Sequence, residues 1–213
     1  MQLFYKPDVM EVGLDEAGLG TLCCSVYAGA VYWPSNVTHP LIKDSKLLDR
    51  RQKLIAYDFI REEAISFGVA KVEAKEVDRI NNKQAAIRAM HEAIDKTHIV
   101  PDSIIVDGNY FRFYLDRNGD QISHTCIIDG DATYYSIAAA SILAKVSHDK
   151  EIQELCDLYP DLREKYDLQH NMGYGTQRHC EAIETYGPTQ FHRMTFKRVK
   201  EFSDNINILE RKK

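Results

Sequence analysis

The order of strand-like and helix-like segments is the feature that most constrains the fold of this chain. Val12-Gly13-Leu14 is followed, beyond the glycines at 18 and 20, by a β-rich run from Leu22 to Trp33, which indicates two neighbouring strands. Helical and strand patterns then alternate along the chain. Because a repeated strand–helix–strand unit would not begin with paired strands, this order predicts a layered α/β domain built on a mixed sheet.

Local signals define the first helix and the strand that follows it. Asp49 and Gln52 have the spacing of a capping box, in which each side chain bonds the other residue's backbone N–H. The helix that they open is expected to reach about Ser66 and to stop at Gly68, because glycine commonly ends a helix. Val69 to Val72 is then expected to form a short strand.

The middle of the chain continues the alternation. Apolar residues at helical spacing predict one helix from Lys75 to about Thr97. Ile104-Ile105-Val106 has the pattern of a buried strand, and this strand is expected to end at Asp107. Asn118-Gly119 is a hairpin turn signal between the Phe111–Leu115 and Ile122–Ile128 runs.

A third helix, from Ser136 to about Leu158 and stopped by Pro160, is rich in small residues that would let it lie close to the sheet. These residues are Ala138, Ala139, Ala140, Ser141 and Ala144. Helices and loops are expected in a C-terminal segment, about residues 160–213, with a basic end at Arg211, Lys212 and Lys213. Since no linker-like stretch interrupts the chain, residues 1–213 are expected to form one domain.

Composition excludes some classes of protein without choosing a partner. A net charge of −5 argues against a strongly basic coat protein, although a local basic face can still hold phosphates. No apolar run approaches the roughly 18 residues of a membrane span, and the N-terminus lacks the layout of a secretory signal. The five cysteines include no C-x-x-C pair, so we expect reduced, mostly buried thiols in an intracellular, cytoplasmic protein.

Four acidic residues lie where buried elements begin or end. Asp15 and Glu16 follow one apolar strand, Asp107 ends another, and Asp131 precedes the small-residue helix. Buried carboxylates need a partner because desolvation costs several kcal/mol per ion, and oxygen-only ligands favour Mg²⁺ or Mn²⁺. Two such ions roughly 4 Å apart would suit in-line displacement at phosphorus.

The same carboxylates have ordinary explanations as well. Asp107 followed by Gly108-Asn109 is also the composition of a plain turn, and Asp131 is also a suitable helix N-cap. The sequence pattern by itself does not bring the four side chains together in space.

Motifs spread over the chain resemble those of the ribonuclease HII family and occur in the family's order. Gly13–Gly20, with the sequence Gly-Leu-Asp-Glu-Ala-Gly-Leu-Gly, is similar to the family's N-terminal signature Asp-Glu-Ala-Gly-Arg-Gly. The other matching segments are Asp44–Leu47, Val106–Asn109, Gly130-Asp131, Ser136–Val146, Gly173–Thr176 with His179, Gly187-Pro188 and His192-Arg193. Together they span about residues 11 to 196, which makes the resemblance specific.

The resemblance implies a ribonuclease H-like α/β fold, a mixed sheet of about five strands flanked by helices, with a helical C-terminal segment. It implies that Asp15, Glu16, Asp107 and Asp131 are the catalytic residues and hold two divalent ions, Mg²⁺ or Mn²⁺. The implied activity is endonucleolytic hydrolysis of RNA in RNA–DNA hybrids and at ribonucleotides embedded in duplex DNA, leaving 5′-phosphates. A monomer is expected.

The resemblance also implies a set of substrate-binding residues. The backbone of Gly18, Leu19 and Gly20 would contact a ribose 2′-hydroxyl, the local group that separates RNA from DNA. Tyr174 would contact the sugar at an RNA–DNA junction. Candidates for phosphate contacts are Lys46, Lys145 and Arg193.

The basic candidates have alternatives too. A lysine after Asp-Ser, such as Lys46, is otherwise a solvated loop charge. Lys145, in a helix of small residues, needs a phosphate or a carboxylate, and Asp149 is one helical turn away. Arg193 and its neighbour His192 would contact the substrate backbone, but a histidine near a C-terminal helix is also commonly a packed or capped residue.

This chain departs from the family pattern in the glycine loop. Leu19 stands where the family has Arg, Thr21 where it has Pro, and Cys24-Ser25 where it has a Gly-Pro pair. Since the four carboxylates are intact, the departures bear on substrate affinity and junction preference more than on the chemistry.

Three other functions fit parts of the sequence. Gly18-Leu19-Gly20 after a strand is typical of dinucleotide-binding enzymes, but an expected strand from Leu22 to Val26 leaves no helix for a third glycine to open. A non-catalytic binding subunit would have no use for buried acids that destabilise it. The related type III enzyme usually carries an extra N-terminal domain, for which the short segment before the first strand leaves no room.

Overall fold

The computed structural model describes residues 1–202 and contains a six-stranded mixed sheet. Its strands are β1 (Glu11–Ala17), β2 (Val26–Tyr32), β3 (Ser66–Val72), β4 (Ser103–Asp107), β5 (Tyr114–Leu115) and β6 (Gln121–Ile127), in the order β3-β2-β1-β4-β6-β5. β1 is antiparallel to β2 and parallel to β4, and β4 is parallel to β6. The predicted mixed sheet is confirmed, with six strands in place of about five because the hairpin adds the short β5.

The predicted hairpin is confirmed between β5 and β6, which pair antiparallel. Gly119 supplies the left-handed backbone, with φ +87°, and the Asp116 side chain accepts hydrogen bonds from the N–H groups of Asn118 and Asp120, both at 2.9 Å.

The helices of the described residues are α1 (Arg50–Glu63), α2 (Ala74–Ile80), α3 (Asn82–Thr97), α4 (Gly130–Thr133), α5 (Tyr135–Leu158), α6 (Pro160–Glu164), α7 (Leu168–Asn171) and α8 (Gln177–Tyr186). A 3-10 turn spans Ser45–Leu47, and residues 197–202 are also helical. The expected helical C-terminal segment is therefore confirmed as far as residue 202. The basic run Arg211, Lys212 and Lys213 lies outside the described residues.

The described chain divides into two compact units. Unit 1 contains residues 1–17, 27–71 and 86–147, and unit 2 contains residues 18–26, 72–85 and the described residues from 148 to 202. Unit 1 holds most of the sheet and a core cluster that includes Trp33, Ile60 and Leu143. Unit 2 has its own cluster, which includes Ile152 and Ile183. The expectation of a single domain over 1–213 stays a prediction.

The capping box of the first helix is confirmed, but its predicted end is wrong. The Asp49 side chain accepts from Gln52 N at 2.8 Å, and the Gln52 side chain accepts from Asp49 N at 3.0 Å. The helix ends at Glu63, and Gly68 lies inside β3. A Cβ at Gly68 would overlap the Ala93 carbonyl oxygen, so this glycine allows close packing of β3 on α3 and does not terminate a helix.

The single helix predicted from Lys75 to Thr97 is two helices, α2 and α3. Asn81 separates them with φ +69° and ψ 162°, a backbone conformation that cannot continue a right-handed helix. Its side-chain oxygen accepts from Gln84 N at 3.1 Å, which satisfies one N–H at the start of α3.

The β-rich run after the glycines is strand only from Val26. Cys24 has φ +66°, and the segment before Val26 makes only isolated bridges, from Thr21 to Tyr174 and from Cys23 to His192. The expected strand from Leu22 is therefore wrong. No helix begins after Gly20 either, so the structure of this segment does not match a dinucleotide-binding loop.

All five cysteines are free thiols, and Cys126 is the one that is partly exposed. Within residues 1–202, no helix has both the length and the apolar character required to cross a membrane.

The small residues of α5 allow it to lie directly on the sheet, as predicted. A Cβ at Gly29, in the middle of β2, would overlap the carbonyl oxygen of Ala140 and lie 3.0 Å from its Cα. Ala138, Ala139 and Ala140 are fully buried at this contact. Helix and strand backbones thus approach more closely than any β-carbon at position 29 would permit.

We therefore expect Gly29→Ala to lower the free energy of unfolding by about 1–3 kcal/mol, the usual cost of forcing atoms into a packed core. Gly20→Ala is the matched control, because its added Cβ would meet only Tyr174 Cε1, at 3.7 Å. We expect it to change stability by less than about 0.5 kcal/mol. Urea titrations of the two variants and the parent make the comparison. Equal stability of Gly29→Ala and the parent would contradict the close approach.

Candidate functional site

The parallel pairing of β1 with β4 places two acidic residues side by side. Leu14 pairs with Val106, so Asp15 and Asp107 follow at the same end of neighbouring strands. Glu16 is the next residue of β1, and Asp131 lies in the first turn of α4. Asp15 and Asp131 are buried, whereas Glu16 and Asp107 are partly buried. All four belong to unit 1.

Hydrogen bonds fix the orientation of two of these carboxylates. Asp107 Oδ1 accepts from Gly130 N at 2.8 Å, which ties the end of β4 to the start of α4. Asp15 Oδ1 accepts from Glu16 N at 2.7 Å, and the Asp15 carboxylate also interacts with the Ser141 hydroxyl on α5. Ser141 Oγ in turn lies 3.1 Å from Ser45 Oγ.

The charge of Asp107 acts on the other three carboxyl groups. Burial, together with the charges of Glu16 and Asp107, raises the pKa of Asp15 well above its usual value. Burial and the charge of Asp107 raise the pKa of Glu16 to about 7. Burial and Asp107 also raise the pKa of Asp131. The fully ionised cluster is therefore electrostatically unfavourable unless a cation balances it.

Lys46 supplies one positive charge at this cluster. Its Nζ lies 3.5 Å from Asp131 Oδ2 and 4.0 Å from Asp44 Oδ1. The Lys46 side chain is 80% exposed, so solvent weakens these ion pairs. Asp131 accordingly raises the pKa of Lys46. Lys46 thus lies against a carboxylate of the predicted site, with its ammonium group open to solvent.

The cluster offers the kind of donor atoms that a divalent cation prefers, but its side chains do not form a complete set of ligands. Its donors are carboxylate oxygens, which Mg²⁺ and Mn²⁺ prefer. Within residues 1–202, no group of three or more His, Cys, Asp and Glu side chains is arranged closely enough to hold a metal ion. The charge of Asp107, which acts on Asp15, Glu16 and Asp131, is the physical reason for expecting a cation there.

The predicted sugar-recognition loop lies in unit 2, and its carbonyl groups are bonded within the protein. Gly18, with φ +83°, directs its carbonyl oxygen to Thr21 Oγ1 at 2.9 Å. The Leu19 carbonyl oxygen accepts from Asn82 Nδ2 at 2.7 Å and from Arg193 Nη1 at 3.2 Å. These contacts fix the loop backbone independently of the Leu19 side chain.

The expectation that Arg193 contacts substrate phosphate does not agree with its burial. Its side chain is fully buried, and its Nε and Nη2 donate to the Cys24 carbonyl oxygen at 3.0 and 2.9 Å. The guanidinium carbon lies 5.2 Å from the centre of the Phe196 ring. With a further bond to Leu19, these contacts compensate the desolvation that lowers the pKa of Arg193. Arg193 therefore stabilises the glycine loop by buried hydrogen bonds to the carbonyl oxygens of Leu19 and Cys24.

Tyr174 lies beside the Gly18–Gly20 loop. This position is compatible with the prediction that both contact the same sugar. It is 43% exposed, and its Cε1 would be 3.7 Å from a Cβ at Gly20. Thr21 and Tyr174 form an isolated antiparallel bridge, and Leu22 N donates to the Gly173 carbonyl oxygen at 2.8 Å. The structure thus brings Gly20 and Tyr174 together within unit 2.

The remaining basic and histidine candidates differ in their environment. Lys145 is partly buried on α5, and its phosphate contact stays a prediction. Asp149 Oδ1 lies 3.2 Å from His148 Nδ1, a contact that the sequence did not suggest. His192 is 2% exposed, which agrees with the alternative of a packed residue.

Two residues of the site were missed by reasoning from the sequence. Asn82 bonds the Leu19 carbonyl oxygen from a position 63 residues away, for which no local pattern exists. Ser141 contacts Asp15 from α5, where it was counted only as a small residue. A polar residue in a run of alanine and isoleucine was the available signal for Ser141.

Comparison with known sequences identifies relatives over nearly the whole chain. A family model described as Ribonuclease HII matches residues 12–199. The Ribonuclease HII of Bacteroides thetaiotaomicron is 41% identical over 205 residues, which is 96% of this chain and 98% of that protein. The Ribonuclease HII of Christiangramia forsetii is 43% identical over 194 residues, 91% of this chain and 93% of that protein.

Solved structures show the same fold at lower identity. The ribonuclease H2 of Pyrococcus horikoshii OT3 aligns with a TM-score of 0.73 and 23% identity, covering 92% of this chain and 98% of that one. Bst-RNase HIII in complex with Mn²⁺ aligns with a TM-score of 0.65 and 20% identity, covering 94% and 70%.

The repulsion among the carboxylates leads to a prediction about stability. At pH 8 in EDTA, we expect Asp107→Asn to unfold at the same temperature as the parent or at a higher one. The amide oxygen can still accept from Gly130 N, while the charge that acts on Asp15, Glu16 and Asp131 is gone.

The pH dependence gives the control. A carboxyl group whose folded-state pKa is raised destabilises the folded protein as pH rises through that value, about 7 for Glu16. The advantage of Asp107→Asn should therefore shrink as pH falls through this range. A large loss of melting temperature for Asp107→Asn at pH 8, measured by circular dichroism, would show that Asp107 is structural.

Proposed function

The chain belongs to the ribonuclease HII family, and from this premise we propose that it cuts the RNA strand of RNA–DNA hybrids and cleaves at ribonucleotides embedded in duplex DNA. Family membership makes it a ribonuclease H. The observation that carries the finer proposal is the meeting of Asp15 and Asp107 at the ends of two parallel strands.

Hydrolysis is assigned to Asp15, Glu16, Asp107 and Asp131, together with two divalent ions, Mg²⁺ or Mn²⁺. Such ions, when bound, would supply the charge that activates a water molecule and stabilises the leaving oxygen. The Mn²⁺ complex of a protein with the same fold supports this choice. Attack of water on phosphorus with departure of the 3′-oxygen would leave a 5′-phosphate and a 3′-hydroxyl.

The protein's own contribution is to hold these carboxylates in place before the substrate binds. The Gly130 N–H orients Asp107, while the Glu16 N–H and Ser141 orient Asp15. Pre-organised charges need no rearrangement as the reaction proceeds, which lowers its barrier. Lys46, at the edge of the cluster with an exposed ammonium group, is assigned to a substrate phosphate.

Sugar recognition is assigned to the Gly18–Gly20 backbone and to Tyr174. Since the Gly18 and Leu19 carbonyl groups accept hydrogen bonds within the protein, the N–H groups of the loop are the proposed partners of the 2′-hydroxyl. Tyr174, beside Gly20, would pack against the sugar. Action as a monomer in the cytoplasm is part of the same proposal.

The first test is cleavage by the parent, Asp107→Asn and Asp102→Asn. Asp102 precedes β4 and Asp107 is its last residue, and the side chain of each accepts one backbone N–H, Asp102 from Met10 at 2.9 Å and Asp107 from Gly130 at 2.8 Å. Asp102→Asn is therefore a matched control. With Mg²⁺ or Mn²⁺, the parent and Asp102→Asn should cut both a hybrid and a duplex with one ribonucleotide.

Asp107→Asn should be inactive, because a neutral amide binds such ions far more weakly than a carboxylate does. The parent should also be inactive in EDTA. Full activity of Asp107→Asn, or of the parent without metal, would exclude the proposed mechanism. Cutting of all-DNA duplexes would exclude the proposed sugar recognition.

The second test concerns Leu19, where a phosphate-binding arginine is absent. Leu19→Arg should tighten substrate binding at low salt and steepen the log–log salt dependence by about one, since each phosphate contact adds about 0.9 to that slope. Junction preference should hardly change, because phosphate contacts position the duplex without reading the sugar.

The measurement is binding to a junction duplex in Ca²⁺, which we expect not to support cleavage, across a salt series. Leu158→Arg is the control, since it places the same charge at a leucine that is 72% exposed and outside the loop. Equal slopes for Leu19→Arg and the control would show that residue 19 does not face a phosphate. Loss of junction preference would show that its side chain affects sugar recognition.

A further inference from the structure

Two buried histidines of unit 2, His179 and His192, connect the Tyr174 turn to the segment that begins at Gly187. His179 Nδ1 lies 2.9 Å from the Tyr174 carbonyl oxygen, and His179 Nε2 lies 3.1 Å from His192 Nε2. His192 Nδ1 lies 2.9 Å from the backbone nitrogen of Thr189. The two rings are therefore joined in one hydrogen-bonded chain.

The donor and the acceptor of each hydrogen bond in this series can be assigned by starting from Thr189. The backbone N–H of Thr189 can only donate, so His192 Nδ1 accepts and carries no proton. The Thr189 hydroxyl, which also lies 2.9 Å from Nδ1, then donates to the same nitrogen. Neutral His192 then carries its proton on Nε2 and donates it to His179 Nε2. His179 must carry its own proton on Nδ1, which donates to the Tyr174 carbonyl oxygen.

Both rings are held in the neutral form that this pattern requires. Burial, with a smaller contribution from His179, lowers the pKa of His192 to about 3. Burial also lowers the pKa of His179. A second proton on either ring would place two N–H groups opposite each other, either between the histidines or at Thr189.

The surroundings of the pair make it rigid. The Tyr166 ring lies 5.3 Å from His192, centre to centre, and its hydroxyl donates to the Gly187 carbonyl oxygen at 2.6 Å. Thr176 caps α8 by accepting from the backbone N–H of His179 at 3.3 Å. His179 thus bonds the Tyr174 carbonyl oxygen from the first turn of a helix.

We propose that His179 and His192 are positioning residues for Tyr174: their hydrogen-bonded chain fixes the backbone of Tyr174 and so holds its ring beside Gly20. This inference rests on the proposed contact of Tyr174 with the substrate sugar. The histidines themselves are buried, so their effect on the substrate would be exerted through Tyr174.

The first experiment reads the tautomers directly, independently of activity. Nitrogen-15 NMR of the whole protein at pH 7 should show His179 protonated on Nδ1 and His192 protonated on Nε2. In His192→Asn, the side-chain oxygen can still accept from Thr189, but nothing donates to His179 Nε2. His179 should then lose its fixed tautomer. Protonation of His179 on Nε2 in the parent would overturn the inference.

The second experiment compares His179→Asn with His179→Leu. The Asn side-chain amide can replace Nδ1–H as the donor to the Tyr174 carbonyl oxygen, whereas Leu is of similar size and has no donor. Per folded molecule, His179→Leu should lower kcat/KM at a single embedded ribonucleotide about tenfold, the effect of one lost hydrogen bond. His179→Asn should remain within about twofold of the parent. Should His179→Leu not fold, His179→Gln also lacks the Nδ1 donor and replaces it.

A double-mutant cycle with Tyr174→Ala separates positioning from a general structural role. If the histidines act through Tyr174, His179→Leu should cause no further loss of kcat/KM once Tyr174→Ala is present. Additive losses, or a drop in stability with normal cutting per folded molecule, would overturn the inference while leaving Tyr174 in its proposed role. Normal cutting by folded Tyr174→Ala would instead refute the sugar contact, and the positioning role with it, whatever the tautomers.

Discussion

Repulsion among the carboxylates at the ends of β1 and β4 is the interaction that the surrounding structure of unit 1 has to offset. Parallel pairing places Asp15 beside Asp107, and burial raises the pKa of Asp15 well above its usual value. The Ser141 hydroxyl and the Glu16 N–H lower the pKa of Asp15 and offset this cost only in part. A protein that keeps such a cluster buried sacrifices stability at the place where the proposed hydrolysis needs charge.

Close packing of α5 on β2 explains the surroundings of the Asp15 carboxylate. Gly29 pairs with Asp15 across β1 and β2, and the absence of a Cβ there lets α5 approach the sheet. That approach brings Ser141 to Asp15. A glycine on β2 thus allows a residue of α5 to orient a carboxylate on β1. Stability and the geometry of the carboxylate cluster therefore depend on the same contact between α5 and β2.

The sequence predicted those features that are decided locally. The capping box of α1, the turn at Gly119 and the long helix of small residues depend on a few adjacent residues, and all three are present. The errors arose where distant contacts decide. Gly68 was predicted to end a helix. The contact that explains this glycine is with Ala93, which is remote in sequence and so left no local signal. Convergence of the carboxylates could be predicted only through the family resemblance, since strand pairing is not visible in either strand alone.

Arg193 illustrates why charge in a sequence does not identify a nucleic-acid contact. A buried guanidinium is tolerated only where several acceptors replace its water, and three hydrogen bonds to the carbonyl groups of Leu19 and Cys24 meet that condition. The same bonds draw the Leu19 carbonyl inward. Because Leu19 itself brings no charge, the sugar recognition proposed for the backbone N–H groups of this loop comes without a side-chain cation. In the proposed function, phosphate binding therefore falls to residues outside the loop, and Lys46 is the candidate whose ammonium group is both exposed and adjacent to the carboxylates.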